Sequence, residues 1–315
     1  MLLCASTTTA QTGDLSAGIA HFNARRWSDA HVFFAAAVKA QPKNPDAALW
    51  YGRTLIAEDN PGDAQDWFEK AIDLEPRRSE SHLWLARSLG MQAQRASVLK
   101  QPFIARHLKT TIDKAIDLDP DNIDARELRW QFYLMAPSVM GGGEEKARGE
   151  AAEILRRNRY RGQLLSLAEA GRGKDAAAAE RALKAVVAEF PDSSSPAGSY
   201  ASWLVGHNRV AEAFGVVEAY QKRRPADPIG WYLLGRTAAN AGQQLDRGED
   251  AMRRYLANVP PPAERIPTIA SARAWLGGIL KQKGDKEGAR REFEAALKLD
   301  PHNGLAKRSL AALGK

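Results

Sequence analysis

Six histidines, one cysteine, a glycine run and an arginine cluster are the residues of this chain with the most obvious chemical potential. His21, His31, His82, His107, His207 and His302 form no His-Glu-x-x-His arrangement and no close pair with acidic neighbours, so they spell no zinc site. Cys4 stands alone, which excludes an intramolecular disulfide and a cysteine-based zinc site. The run MGGGEEK at 140–146 could cradle a phosphate, since glycines opening a helix present backbone N–H groups to anions. Its spacing is wrong, no Gly-Lys-Ser/Thr follows, and Glu144 and Glu145 would repel a phosphate while suiting a helix dipole. The stretch reads as a turn after Pro137, and its PSVMGGG loop could touch a partner. RRNRYRG at 156–162 sets four arginines around Tyr160, a pattern that could follow a nucleic-acid backbone with the ring stacked on a base. A helix end explains the same residues, as it does QKRRP at 221–225, because arginines complement the C-terminal dipole. No Gly-x-Ser-x-Gly elbow or paired-carboxylate signature is present, so the sequence points away from an enzyme.

The elements that would carry these residues repeat. The stretch 45–76, PDAALWYGRTLIAEDNPGDAQDWFEKAIDLEP, reads as a helix, a turn and a second helix. Gly52 lies in the first helix, Ala64, Phe68 and Ala71 share one face of the second, and Pro76 stops it. Gly18, Ala30, Phe34, Ala37 and Pro42 stand 34 residues earlier, position for position. Gly277, Ala289, Phe293, Ala296 and Pro301 repeat the set, as do Ala201, Ala213, Val217, Tyr220 and Pro225, and more loosely Gly235, Met252, Tyr255 and Pro260. The copy from Ser79 to Pro120 is ten residues too long, with the excess in MQAQRASVLKQPFIARHL lengthening the turn or either helix. The copy from Ile123 puts Trp130 where a small residue belongs and replaces its closing proline with RRNRYRG. A weak copy follows at Leu167, Ala179, Leu183, Val186 and Pro191.

This order of small, large, small and proline at a 34-residue period resembles the tetratricopeptide repeat. About eight repeats fit the template over most of the chain. The resemblance implies an all-α fold, a right-handed solenoid of stacked antiparallel helix pairs. It also implies that first helices line a concave face, with the residue after the small one pointing into it. Those residues are Arg53, Arg87 and Arg236, with Gln131 and Ser202 between them, while Ile19 and Gly278 break the series. Three arginines there would offer bidentate donors to carboxylates of an extended or C-terminal peptide. Leu49, Leu83 and Tyr232, one turn earlier, would add apolar contact. Arginine is also simply a good helix former on an exposed position. The Lys and Asn pattern of family members that clamp a terminal Glu-Glu-Val-Asp is not reproduced.

The 315 residues carry a formal net charge of +7 and 44% hydrophobic residues, ample for a folded chain and favouring acidic partners. Residues 1–12, around MLLCASTTTAQ, read as a frayed end or the remnant of a secretory signal, giving an exported, periplasmic expectation with a cytoplasmic alternative. Regular repeats are expected over 13–120 and 192–301, degenerate ones over 121–191, and a polar-faced capping helix over 302–315. The expected function is a non-catalytic scaffold holding a peptide or protein on its concave face, with no cofactor and no metal. The alternatives are a basic adaptor for RNA or another anionic polymer, which is the lesser expectation, and a regulatory solenoid acting on an enzyme of another chain.

Overall fold

The structure, a computed structural model, describes residues 14–172, 175–259 and 267–314, the side chains of 169–172 excepted. The signal-like stretch with Cys4, and the closing Pro260, lie outside the described residues. The described residues are all-α and form two compact units divided between Gly162 and Gln163, a coarser division than the five segments expected from sequence. The first unit holds α1 (Ser16–Asn23), α2 (Trp27–Ala40), α3 (Pro45–Ala57), α4 (Pro61–Leu74), α5 (Ser79–Arg95), α6 (Gln101–Leu118), α7 (Ile123–Met135) and α8 (Glu144–Arg157). The chain passes to the second unit within α9 (Arg159–Arg172). There follow α10 (Ala176–Glu189), α11 (Ser194–Gly206), α12 (Val210–Arg223), α13 (Ile229–Ala241), α14 (Leu245–Ala257), α15 (Ile269–Gln282), α16 (Lys286–Leu299) and the final α17 (Gly304–Leu313). Within each unit successive helices pack as antiparallel pairs, and first helices also touch each other, α3 on α5 on α7 and α11 on α13 on α15. This is the α-solenoid arrangement expected from the repeats.

Local chemistry explains the punctuation. Asn44 accepts hydrogen bonds from the N–H groups of Asp46 and Ala47, and Asn122, Asp285 and Asn303 cap α7, α16 and α17 in the same way. Between the two helices of five pairs a residue at one fixed place adopts a left-handed backbone: Arg25 (φ 56°), Asp59 (φ 65°), Asn208 (φ 59°), Gly242 (φ 65°, with Gln244 at φ 51° in the same turn) and Gly284 (φ 89°). Each lies seven residues after the small residue of its first helix, so one turn geometry recurs at a cost that is least for the two glycines.

The small–large pairing of the repeat is a close approach of helix to ring. A Cβ added to Gly52 would lie 2.5 Å from Cε1 of Phe68, and the same atom on Gly277 would lie 2.7 Å from Phe293. Phe34, Phe68 and Phe293 are fully buried as a result. The long copy solves its ten extra residues by lengthening everything: α5 and α6 have 17 and 18 residues against 13 and 14 in α3 and α4, and the turn between them is longer.

In the copy from Ile123, large and small trade places. Trp130 occupies the position of Gly52, and Ala151 on α8 occupies that of Phe68; both are buried. Polar groups complete this interior. Arg126 and Glu150, each 5% exposed, pair at 2.9 Å, and Arg129 adds a second bond to Glu150 at 2.5 Å. The missing closing proline has a reason too. A single residue, Asn158, separates α8 from α9, and Gly162 lies so close to Leu155 that a Cβ would fall 2.2 Å from its Cα. RRNRYRG is therefore both the end of one helix and the start of the next, not a helix end alone.

Candidate functional site

The arginines of the first-helix face do not stand alike. Arg53 is 14% exposed and its guanidinium lies between two indoles, 3.8 Å from the Trp50 ring centre and 4.6 Å from that of Trp84. Its Nη1 also donates to Glu80 at 3.3 Å. Arg87 also packs over the Trp84 ring, at 4.4 Å, and pairs with Asp124 at 3.5 Å. Each arginine thus meets the acid at the second position of the next first helix. Arg78 extends the chain of charges, reaching Asp46 at 2.5 Å and Glu80 at 3.0 Å, and Arg161 closes it on Asp124 at 2.8 Å and on Glu127. In this unit the arginines zip adjacent repeats together, and a ligand carboxylate would have to compete with protein carboxylates.

Arg236 on α13 is different. It has no acidic partner among the described residues; it donates to the Gly198 carbonyl at 2.8 Å and to Ser202 Oγ at 3.4 Å. Its Nε is buried with no hydrogen-bond partner among the described residues. Burial without a counter-charge holds its pKa below the usual arginine value. Tyr232 lies one turn before it, with the Tyr232 hydroxyl accepting from Trp275 Nε1 at 3.0 Å. Small residues make this room: a Cβ on Gly198 would strike the Arg236 Nη2 at 2.6 Å.

The apolar partners expected beside the arginines are placed otherwise. Leu49 and Leu83 are buried in the first unit's core and Tyr232 in the second's, so they have no surface to give a ligand. At those positions the helix turns its stripe inward, towards the neighbouring pair. Gln131 and Ser202 are exposed on the first-helix face. The arginine cluster at 156–161 is occupied: Arg156 pairs with Glu153, Arg157 with Asp121 at 3.4 Å, and Arg161 with Glu127 and Asp124. In the glycine run, Gly141 takes φ 92° and Lys146 donates to its carbonyl at 3.0 Å, closing the turn. His31 pairs with Glu58 at 2.7 Å, and no cluster of three metal-binding side chains occurs among the described residues.

Two features escaped the sequence reading. The aromatic clasp of Trp50 and Trp84 around Arg53 was signalled by tryptophans 34 residues apart, each three residues before an arginine. The other is a concavity of about 630 Å³ lined by Val187, Tyr200, Leu204, Val216 and Tyr220 from α10, α11 and α12. The Tyr220 hydroxyl there donates to Asp227, and burial pushes its pKa well above the ordinary value. Nothing local in the sequence marks that space, because it depends on how far two helices stand apart.

Comparison with known proteins agrees with this architecture. The tetratricopeptide repeat family matches residues 21–88 and again 270–303. A tetratricopeptide repeat protein from Parabacteroides merdae is similar in structure with a TM-score of 0.50 at 14% identity, over 86% of this chain and 99% of that one. Human IFIT1, solved with m7Gppp-AAAA, gives a TM-score of 0.52 at 17% identity over 94% of this chain and 70% of that one. No curated protein matches the sequence. The recurring glycine–phenylalanine contact, the shared inter-helix turn and the two family matches together show that the chain contains tetratricopeptide repeats, at 21–88 and at 270–303.

Proposed function

We propose that the chain is a non-catalytic scaffold that holds a peptide or protein partner on the first-helix face of its second unit. The observation that carries this reading is Arg236: a guanidinium lodged between repeats, without a carboxylate, beside exposed Ser202. A partner carboxylate arriving there would form charge-assisted bonds to a guanidinium that no protein carboxylate already holds, which is worth more than the same contact at an already paired arginine. The first unit plays the complementary part, since Arg53 and Arg87 cross-link repeats and stiffen the support. An RNA-binding reading has less support. The likeness to IFIT1 is one of fold, and the arginines of 156–161 that would face a phosphate backbone include three already held by acids.

The test is affinity capture from lysate with the wild type, Arg236→Met, and Arg53→Met/Arg87→Met, folding being checked by circular dichroism. The reading expects a bound protein to be lost with Arg236→Met and retained by the double variant when folded. Retention by Arg236→Met refutes it.

A further inference from the structure

The ten residues that lengthen the third pair of helices, together with the PSVMGGG turn, build a surface in the first unit that packing does not explain. Val98, Leu99 and Phe103, at the α5–α6 turn and the start of α6, are 79%, 84% and 79% exposed. Val139, in the turn after α7, is 89% exposed, and Met135, at the end of α7, is 73%. The second turn packs on the helix that the first turn opens: α6 touches the short 3-10 helix 138–140, and a Cβ on Gly141 would meet the Lys109 side chain at 3.6 Å, about 12 Å along α6 from its start. The charge around the first turn is one-sided. From 91 to 112 the sequence holds Arg95, Lys100, Arg106 and Lys109 and no acid. Arg95 is tied to Asp59 and Lys109 to Asp113, but Lys100 and Arg106 are exposed and have no acidic partner among the described residues. Glu144 and Glu145 come after the second turn, at the start of α8.

We propose that these two turns, both carried on α6, dock the protein on an anionic lipid surface, the apolar tips entering the interface while Lys100 and Arg106 meet the headgroups. Exposed aliphatic and aromatic side chains on turns, flanked by unpaired cations, match what a lipid interface rewards: apolar area plus attraction to anionic heads. An acidic protein would satisfy the cations as well. Lipid fits better because the apolar residues stand out singly from turns, and a fluid layer closes around such tips without needing a matching shape. No described helix is long and apolar enough to cross a membrane, so the contact would be peripheral. This inference is independent of the groove reading.

Vesicle flotation of the full chain tests it, comparing phosphatidylcholine alone with phosphatidylcholine containing phosphatidylserine. Binding is expected only to the anionic vesicles, weakening by about fivefold for each of Lys100→Gln and Arg106→Gln. Leu99→Ser/Phe103→Ser keeps the charge and should lower binding by at least about tenfold, as loss of two apolar tips implies. Circular dichroism and thermal midpoints matching the wild type would show that these surface variants fold. Absence of flotation with anionic vesicles, or flotation unchanged in Leu99→Ser/Phe103→Ser, would overturn the proposal. Loss of a captured acidic protein from that variant, with no vesicle binding by the wild type, would assign the patch to a protein and equally overturn it.

Discussion

Adding one methyl group at Gly52 and the same group at Gly90 should have opposite effects. Both glycines lie inside helices, so each Gly→Ala change gains about 1 kcal/mol of helix propensity. At Gly90 nothing lies within 4 Å of the new Cβ, and the gain should be kept. At Gly52 the Cβ would sit 2.5, 2.8 and 3.0 Å from three atoms of the Phe68 ring. Carbon contacts prefer about 3.5–4.0 Å, so the ring must retreat by about 1 Å. It has nowhere to go, being fully buried, with Trp84 stacked 6.2 Å away. Overpacking of this kind costs about 1–3 kcal/mol. Propensity cancels between the two variants, so Gly52→Ala should be less stable than Gly90→Ala by about 1–3 kcal/mol, the full packing penalty. Urea unfolding followed by far-UV circular dichroism gives the two midpoints. Adding Phe68→Leu to Gly52→Ala should cost less than Phe68→Leu costs alone, since the contact is then already strained. Equal stabilisation by both alanines would refute the close-approach account of the repeat.

Three further outcomes follow from the same structure. Arg25→Gly should stabilise by about 1 kcal/mol in thermal or urea unfolding, because a left-handed turn position costs arginine that much more than glycine. Glu150→Ala, leaving Arg126 buried without its partner, should destabilise by about 3–5 kcal/mol, whereas Arg126→Met/Glu150→Leu should recover most of the loss. Glu180 is held at a pKa of about 2, below its ordinary 4.5, by hydrogen bonds from Lys184 and then Arg209. A depressed carboxylate contributes stability above its unfolded pKa and loses it as pH falls through the folded one. Stability should therefore drop between pH 4.5 and about 2, and Glu180→Gln should flatten that part of the urea-midpoint profile.

The repeat was legible because its chemistry is local and periodic. Gly52, Ala64, Phe68, Ala71 and Pro76 each act on their own helix pair, and the same spacing returns at Gly18 and Gly277. The size exchange at Trp130 and Ala151 looked like degeneration in the sequence, since compensation is visible only when both helices are placed. The arginine series was legible as a series but not as a ladder. Whether an arginine is free depends on an acid in the next repeat: Glu80 for Arg53 and Asp124 for Arg87, with none among the described residues for Arg236. Leu49, Leu83 and Tyr232 show the limit of reading a helix by one face, because a first helix is packed on several sides.

A photo-crosslinking amino acid placed at Ser202, on the first-helix face beside Arg236, tests the central claim most directly when paired with the same probe at Lys222, exposed on α12. Illumination in lysate should give a discrete protein adduct from position 202, none from position 222, and none from position 202 once Arg236→Met is added. An adduct that forms equally at 222, or persists at 202 without Arg236, would contradict the account.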